Sequence, residues 1–267
     1  MRASCRAALS IGVSAILLAV PAGAPLTSAV VHAPRIVVPV EKNPHPGGGH
    51  GGGGGPAFGW ASSNWSGYAV TGGPYTSVTG TWIVPAVAPS RRSTYSSSWV
   101  GIDGFSDSSL IQTGTEQDFV NGAARYYAWW EILPAPETVI TTPAVSPGDA
   151  VHASIAQTSS GSWTITITDV TRNESFTTTQ SYSGPLSSAE WIEEAPTVGG
   201  RVATLANYGQ TTFDPGTANG TNPGLVTADG GVMIQHGAQV STPSVPDSDT
   251  DGFNVAYGPT SPPAPSS

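Results

Sequence analysis

Carboxylates and side-chain amides, rather than histidines or thiols, stand where this sequence could do chemistry. Asp103 lies in Trp99-Val-Gly-Ile-Asp-Gly104, Gln112 in Leu110-Ile-Gln-Thr-Gly114, and Glu131 in Trp129-Trp-Glu-Ile-Leu-Pro134. Glu190 and Glu194 share the run Ala189-Glu-Trp-Ile-Glu-Glu-Ala-Pro196. Each has apolar or aromatic neighbours, where burying a polar group is costly unless it is paired. Acids held in such surroundings are candidate site residues. A carboxylate can take a proton from water and return it to a leaving group. An amide N–H can support a developing oxyanion. Together these groups suit hydrolysis by acid–base chemistry.

Other chemistries lack their residues. His32, His45 and His50 precede the region where strands begin, and His152 and His236 read as solvated strand residues. No Gly-x-Ser-x-Gly elbow is present, and the single cysteine, Cys5, lies in an N-terminal leader. No His-Glu-x-x-His or Cys-x-x-Cys cluster points to zinc, so no metal and no cofactor is expected.

The elements that must hold these groups are strands. Short β-branched and aromatic segments alternate with turn residues, and no convincing amphipathic helix follows residue 57. Strands are predicted over 65–70, 77–83, 96–101, 109–113, 125–132, 150–157, 162–169, 174–182, 189–194, 211–213, 232–235 and 253–257. So many strands at this spacing imply an all-β sandwich or barrel. Alternation puts Trp129 with Glu131, Leu110 with Gln112, and Glu190 with Ile192 and Glu194, each set on one face of its strand. One concave face could then carry Gln112, Glu131, Glu190 and Glu194 between Trp65 and Trp129. The competing arrangement has these polar groups facing water on edge strands, with the tryptophans in the core.

The ends of the chain read differently. Arg2 and Arg6, an apolar run to Val20 and small residues after it form a secretory leader, with cleavage expected near 24 or 33. Residues 34–57 read as a short pro-segment and Gly-rich linker, 58–258 as one domain, and 259–267 as a disordered Pro/Ser tail. The expected product is secreted and monomeric, with no membrane attachment once the leader is removed. Charged residues are 10% of the chain and the net charge is -9. That excludes a basic surface for nucleic acid. It also leaves few ionised carboxylates on which the fold could depend, so acid resistance is expected.

Five segments in order resemble the glutamic peptidases, or eqolisins: Ser63-Asn-Trp-Ser-Gly67, the two segments carrying Asp103 and Gln112, Tyr127-Ala-Trp-Trp-Glu-Ile-Leu-Pro134, and Ala189-Glu-Trp-Ile-Glu-Glu194. The resemblance covers most of the domain and is nearer the bacterial, disulfide-free kind. It implies a concanavalin-like sandwich of two curved antiparallel sheets and an endopeptidase acting on proteins or peptides. It further implies Gln112 and Glu194 as catalytic residues, with Trp65, Asp103, Trp129, Glu131 and Glu190 lining the cleft. Glu193 stands where the family pattern expects an apolar residue. Two other readings fit parts of the pattern: a lectin-like carbohydrate-binding sandwich, and a glycosidase using Glu131 and Glu194 as its carboxylate pair.

Overall fold

The computed structural model describes residues 57–267. The leader and nearly all of the Gly-rich linker lie outside the described residues. In chain order the strands are β1 (Trp60–Ser62), β2 (Trp65–Thr71), β3 (Ser77–Ile83), β4 (Ser97–Ile102), β5 (Ile111–Val120), β6 (Ala123–Ile132), β7 (Thr138–Ile140), β8 (Ala150–Ser159), β9 (Ser162–Asp169), β10 (Glu174–Ser181), β11 (Ser188–Glu194), β12 (Thr197–Val198), β13 (Arg201–Val202), β14 (Gln210–Ala218), β15 (Gly230–Gln235), β16 (Ala238–Pro243) and β17 (Phe253–Tyr257). One 3-10 turn, Thr227–Asp229, precedes β15, and no α-helix occurs among the described residues.

Hydrogen bonding runs in the order β10-β9-β8-β3-β14-β17-β16-β15-β2-β11-β4-β5-β6-β7, with β1 beside β15 and β12 paired to β13 apart from the rest. The path turns over through β16 and β15, so that β3, β8 and β9 lie against β4, β5 and β11. The result is a β-sandwich of two antiparallel layers, joined along one side.

Alternation explains the core. On β9, Trp163, Ile165 and Ile167 are buried while the intervening threonines face outward. These side chains join Val100, Ile102, Ile111, Val151, Ile155 and Trp191 between the layers. Buried indole N–H groups need acceptors, and two find them across the layers. Trp82 donates to Thr115 Oγ1 at 3.0 Å, and Trp191 to the Thr79 carbonyl at 2.7 Å. Room for the Trp191 ring comes from Gly80 and Gly216, where a Cβ would stand 2.9 and 2.6 Å from it.

The strands at 77–83, 162–169 and 253–257 form where expected. The strand expected to end at Thr113 instead runs to Val120, because its polar residues are paired inside the protein rather than exposed in a turn. Strands β1, β7, β12, β13 and β16 were not foreseen; they are short, polar or proline-bearing. The tail, expected to be disordered, has no strand but lies against the domain. Asn254 Nδ2 donates to the Pro263 carbonyl at 2.8 Å, and Ser261 Oγ to the Pro243 carbonyl at 2.7 Å. Proline carbonyls remain acceptors even where no N–H is available.

Candidate active site

Strand register places the candidate groups. Glu190 on β11 pairs with Gly101 on β4, which pairs with Gln112 on β5, which pairs with Glu131 on β6. Two residues along, Ile192, Trp99, Gly114 and Trp129 form the next row; two further, Glu194, Ser97, Glu116 and Tyr127 form the third. Trp65 on β2 pairs with Glu194. Because strand side chains alternate, all of these share the face turned away from the inter-layer core. Trp60, Trp65, Trp99, Leu110, Trp129 and Ile192 make a second apolar cluster there.

The face is closed. Gln112, Glu131, Glu190, Trp65, Trp99 and Trp129 are fully buried, and Glu194 is 1% exposed. The polar groups are therefore strongly constrained. Gln112 Nε2 donates to Glu131 Oε2 at 2.6 Å, whereas Gln112 Oε1 has no partner. Glu194 Oε1 accepts from Asn64 Nδ2 at 3.1 Å and Oε2 from Trp99 Nε1 at 2.8 Å. Trp65 and Trp99 meet edge to face, with ring centroids 5.0 Å apart. Trp129 Nε1 donates to Ser97 Oγ at 3.1 Å.

Burial dominates the proton affinities, since low dielectric disfavours the charged carboxylate. It raises the Glu194 pKa to about 8; Asn64, Trp99 and the adjacent Trp65 pull against that rise, and Glu137 adds to it. Glu190 is pushed well above the usual carboxylate range, first by burial; Ser188 opposes, and Asp103 and Asp107 add repulsion. Neither Glu190 oxygen makes a well-formed hydrogen bond, so Ser188 offsets the rise only in part. Glu116 is raised by burial and then by Asp118.

Asp103 is less central than its segment suggests. It follows β4 with a positive φ of 69°. Its carboxylate accepts from Tyr182 Oη and the Ser187 N–H, both at 2.6 Å, which ties the β4 end to the chain entering β11. Glu193 points the other way from Glu194, into the core. There it accepts from Ser98 Oγ at 2.7 Å, Thr211 Oγ1 at 3.1 Å and Gln117 Nε2 at 3.2 Å. A carboxyl thus sits where an apolar residue was expected because three donors from β4, β5 and β14 meet it. Its pKa is raised to about 8 by burial.

Asn64 and Trp99 touch Glu194 directly but were not singled out from the sequence. Both lie in segments that were, and Trp99 shares its strand face with Gly101, beside Gln112. His152 meets Thr81 Oγ1 at 3.1 Å on β8, and His236 is in the turn after β15. Neither stands on the acid-bearing face. Among the described residues, the carboxylates close enough to share an ion are Asp214, Asp247 and Asp251, outside this face.

Residues 63–257 match the sequence profile described as the Peptidase A4 family. The chain belongs to the peptidase A4 family. Aspergillopepsin-2 of Aspergillus niger is 31% identical over 222 residues, spanning 73% of this chain and 78% of that protein. Scytalidopepsin B of Scytalidium lignicola is 31% identical over 137 residues, spanning 49% of this chain and 51% of that protein. The A4 sandwich also resembles solved structures. Scytalido-glutamic peptidase with a transition state analog inhibitor has a TM-score of 0.63 at 23% identity, covering 73% of this chain and 98% of that one, a likeness of fold. Aspergilloglutamic peptidase from Aspergillus niger has a TM-score of 0.51 at 29% identity, covering 61% and 99%. As an A4 peptidase the chain is a glutamic endopeptidase.

Proposed function

We propose that this A4 peptidase is a secreted, acid-active enzyme cleaving peptide bonds in proteins, with Glu194 as general base and Gln112 as oxyanion donor. In this reading Glu194 takes a proton from water, and the resulting hydroxide attacks the scissile carbonyl carbon. The Gln112 amide donates to the oxyanion so formed. Glu194 then hands the proton to the leaving nitrogen as the C–N bond breaks. The apolar leader supports secretion, as does similarity to fungal peptidases.

The observation that carries this reading is the fixing of both groups on one face. An amide nitrogen has two donor hydrogens. Glu131 takes one at 2.6 Å, which orients Gln112 and leaves the second for substrate. Asn64 and Trp99 hold both Glu194 oxygens. In the closed face burial keeps Glu194 protonated at acid pH. In this reading the water that is to be activated hydrates the Glu194 carboxyl and lets it ionise. A surface cavity of about 260 Å³ is lined by Ser63, the neighbour of Asn64 in the chain, with Arg201, Ala203, Gln235 and His236.

The test is acid hydrolysis of a denatured protein, such as casein, by the wild type and by Glu194→Gln and Gln112→Ala variants checked for fold by circular dichroism. Loss of about 10²–10³ in kcat for Gln112→Ala and near-complete loss for Glu194→Gln are expected. Full activity in either folded variant overturns its assignment. A parallel polysaccharide panel checks the glycosidase reading, which the register disfavours because Gln112 stands between Glu131 and β11.

A further inference from the structure

The connection between β16 and β17 reads Asp247-Ser-Asp249-Thr-Asp251-Gly252. Acids at alternate positions followed by glycine repeat the opening cadence of calcium-binding loops. Here the run joins strands rather than helices. A fourth acid, Asp214 of β14, comes to the same place, and the Gly216 N–H donates to the Asp251 carbonyl at 2.8 Å. One carboxylate oxygen from each of Asp214, Asp247 and Asp251 lies within 4.8 Å of the others.

Proximity of acids alone says little, and two further features point to a ligand. Asp247 is 6% exposed, and its Oδ2 is buried without a hydrogen-bond partner. Its Oδ1 is satisfied by the N–H groups of Asp251 and Gly252, both at 3.2 Å, so the side chain is held with the other oxygen toward the cluster. At Gly252 a Cβ would stand 2.5 Å from Asp247 Oδ2 and 2.8 Å from Asp214 Cγ. The absent side chain therefore leaves the space between these two carboxylates open. Burial raises the pKa of all three acids, and Asp249 adds repulsion.

We propose that Asp214, Asp247 and Asp251 form a calcium site that clamps β14 to the β16–β17 connection. Waters and backbone carbonyls would complete the six to eight oxygens that calcium takes, and exposed Asp249 can swing in as another donor. The site lies outside the face carrying Glu194, so its role is stability rather than chemistry, and its test does not depend on the assigned catalytic pair.

The experiment is calorimetric titration and thermal melting of the full secreted domain at pH 7, stripped with a chelator and then given calcium or magnesium chloride. One calcium per chain is expected, with a Tm rise of about 5–10 °C in calcium at a hundredfold excess over Kd, and a much smaller rise in magnesium. Asp247→Asn keeps an oxygen for the turn N–H groups, and Asp214→Asn leaves the turn untouched. Each should lose most of the calcium-dependent shift while hydrolysing casein at the wild-type rate without calcium. No binding by the wild type, or an equal shift in folded Asp214→Asn, overturns the proposal.

Discussion

Trp99 and Glu194 are joined across adjacent strands by an indole N–H donating to Oε2 at 2.8 Å, two residues out of register. The bond holds the carboxyl along the sheet and favours its ionised form. Trp99→Phe keeps most of the ring and removes the donor. A hydrogen bond to a charged group is worth about 1.5–3 kcal/mol, so kcat/KM should fall about 10- to 100-fold. The acid limb of the pH–rate profile should also move to higher pH, because the lost bond lowered the pKa. An unmoved limb in steady-state kinetics would argue against this role.

Glu131 accepts from Gln112 at 2.6 Å, and in the proposed mechanism it acts through that bond. Replacing it with leucine frees the amide to rotate, and kcat should fall about tenfold or more with KM nearly unchanged. Glu131→Gln retains an acceptor oxygen and should recover most of the rate. Michaelis analysis of the pair separates positioning from bulk.

Adjacent glutamates should behave oppositely. Glu193→Ala strips the buried Ser98, Gln117 and Thr211 donors of their acceptor. Stranded buried donors cost about 1–3 kcal/mol, so Tm should drop by roughly 4–10 °C with activity surviving in the folded fraction. Glu194→Gln should abolish turnover with little change in Tm. Calorimetry and casein hydrolysis on the two variants read both outcomes.

Stability should fall as pH rises. Glu193 and Glu194 have pKa values raised to about 8 and Asp118 to about 7, against about 4 in an unfolded chain. Between those values the folded state holds protons that the unfolded state has released, and stability then declines with pH. The stabilisation is complete below about pH 4 and is lost toward pH 8. Melting at pH 4 and pH 8 should differ by on the order of 10 °C in favour of acid. Equal or reversed values would show these acids ionised in the native state.

Much of this was legible in the sequence. Period-two alternation put Glu190 with Glu194 on one face of their strand and gave the faces of Gln112 and Glu131, and register then aligned Glu190, Gln112 and Glu131 in one row. What alternation could not show was pairing across strands distant in sequence. Gln117 fell beyond the strand predicted to end at 113, because its partner, Glu193, is 76 positions away. Asn64 carries no ionisable group, and its partner Glu194 is 130 positions away. Asp103 looked like a cleft acid because nothing local announces that Tyr182 and Ser187 satisfy it.

Strand β11 lies between β2 and β4, hydrogen-bonded to both. The two earlier strands leave the ribosome long before it and have no ladder with each other until it inserts. Such long-range pairing is slow to form. Glu194 therefore reaches Asn64 and Trp99 only after β11 has been made. A chain that stops before β11 carries Gln112 but neither Glu194 nor the strand that joins β2 to β4.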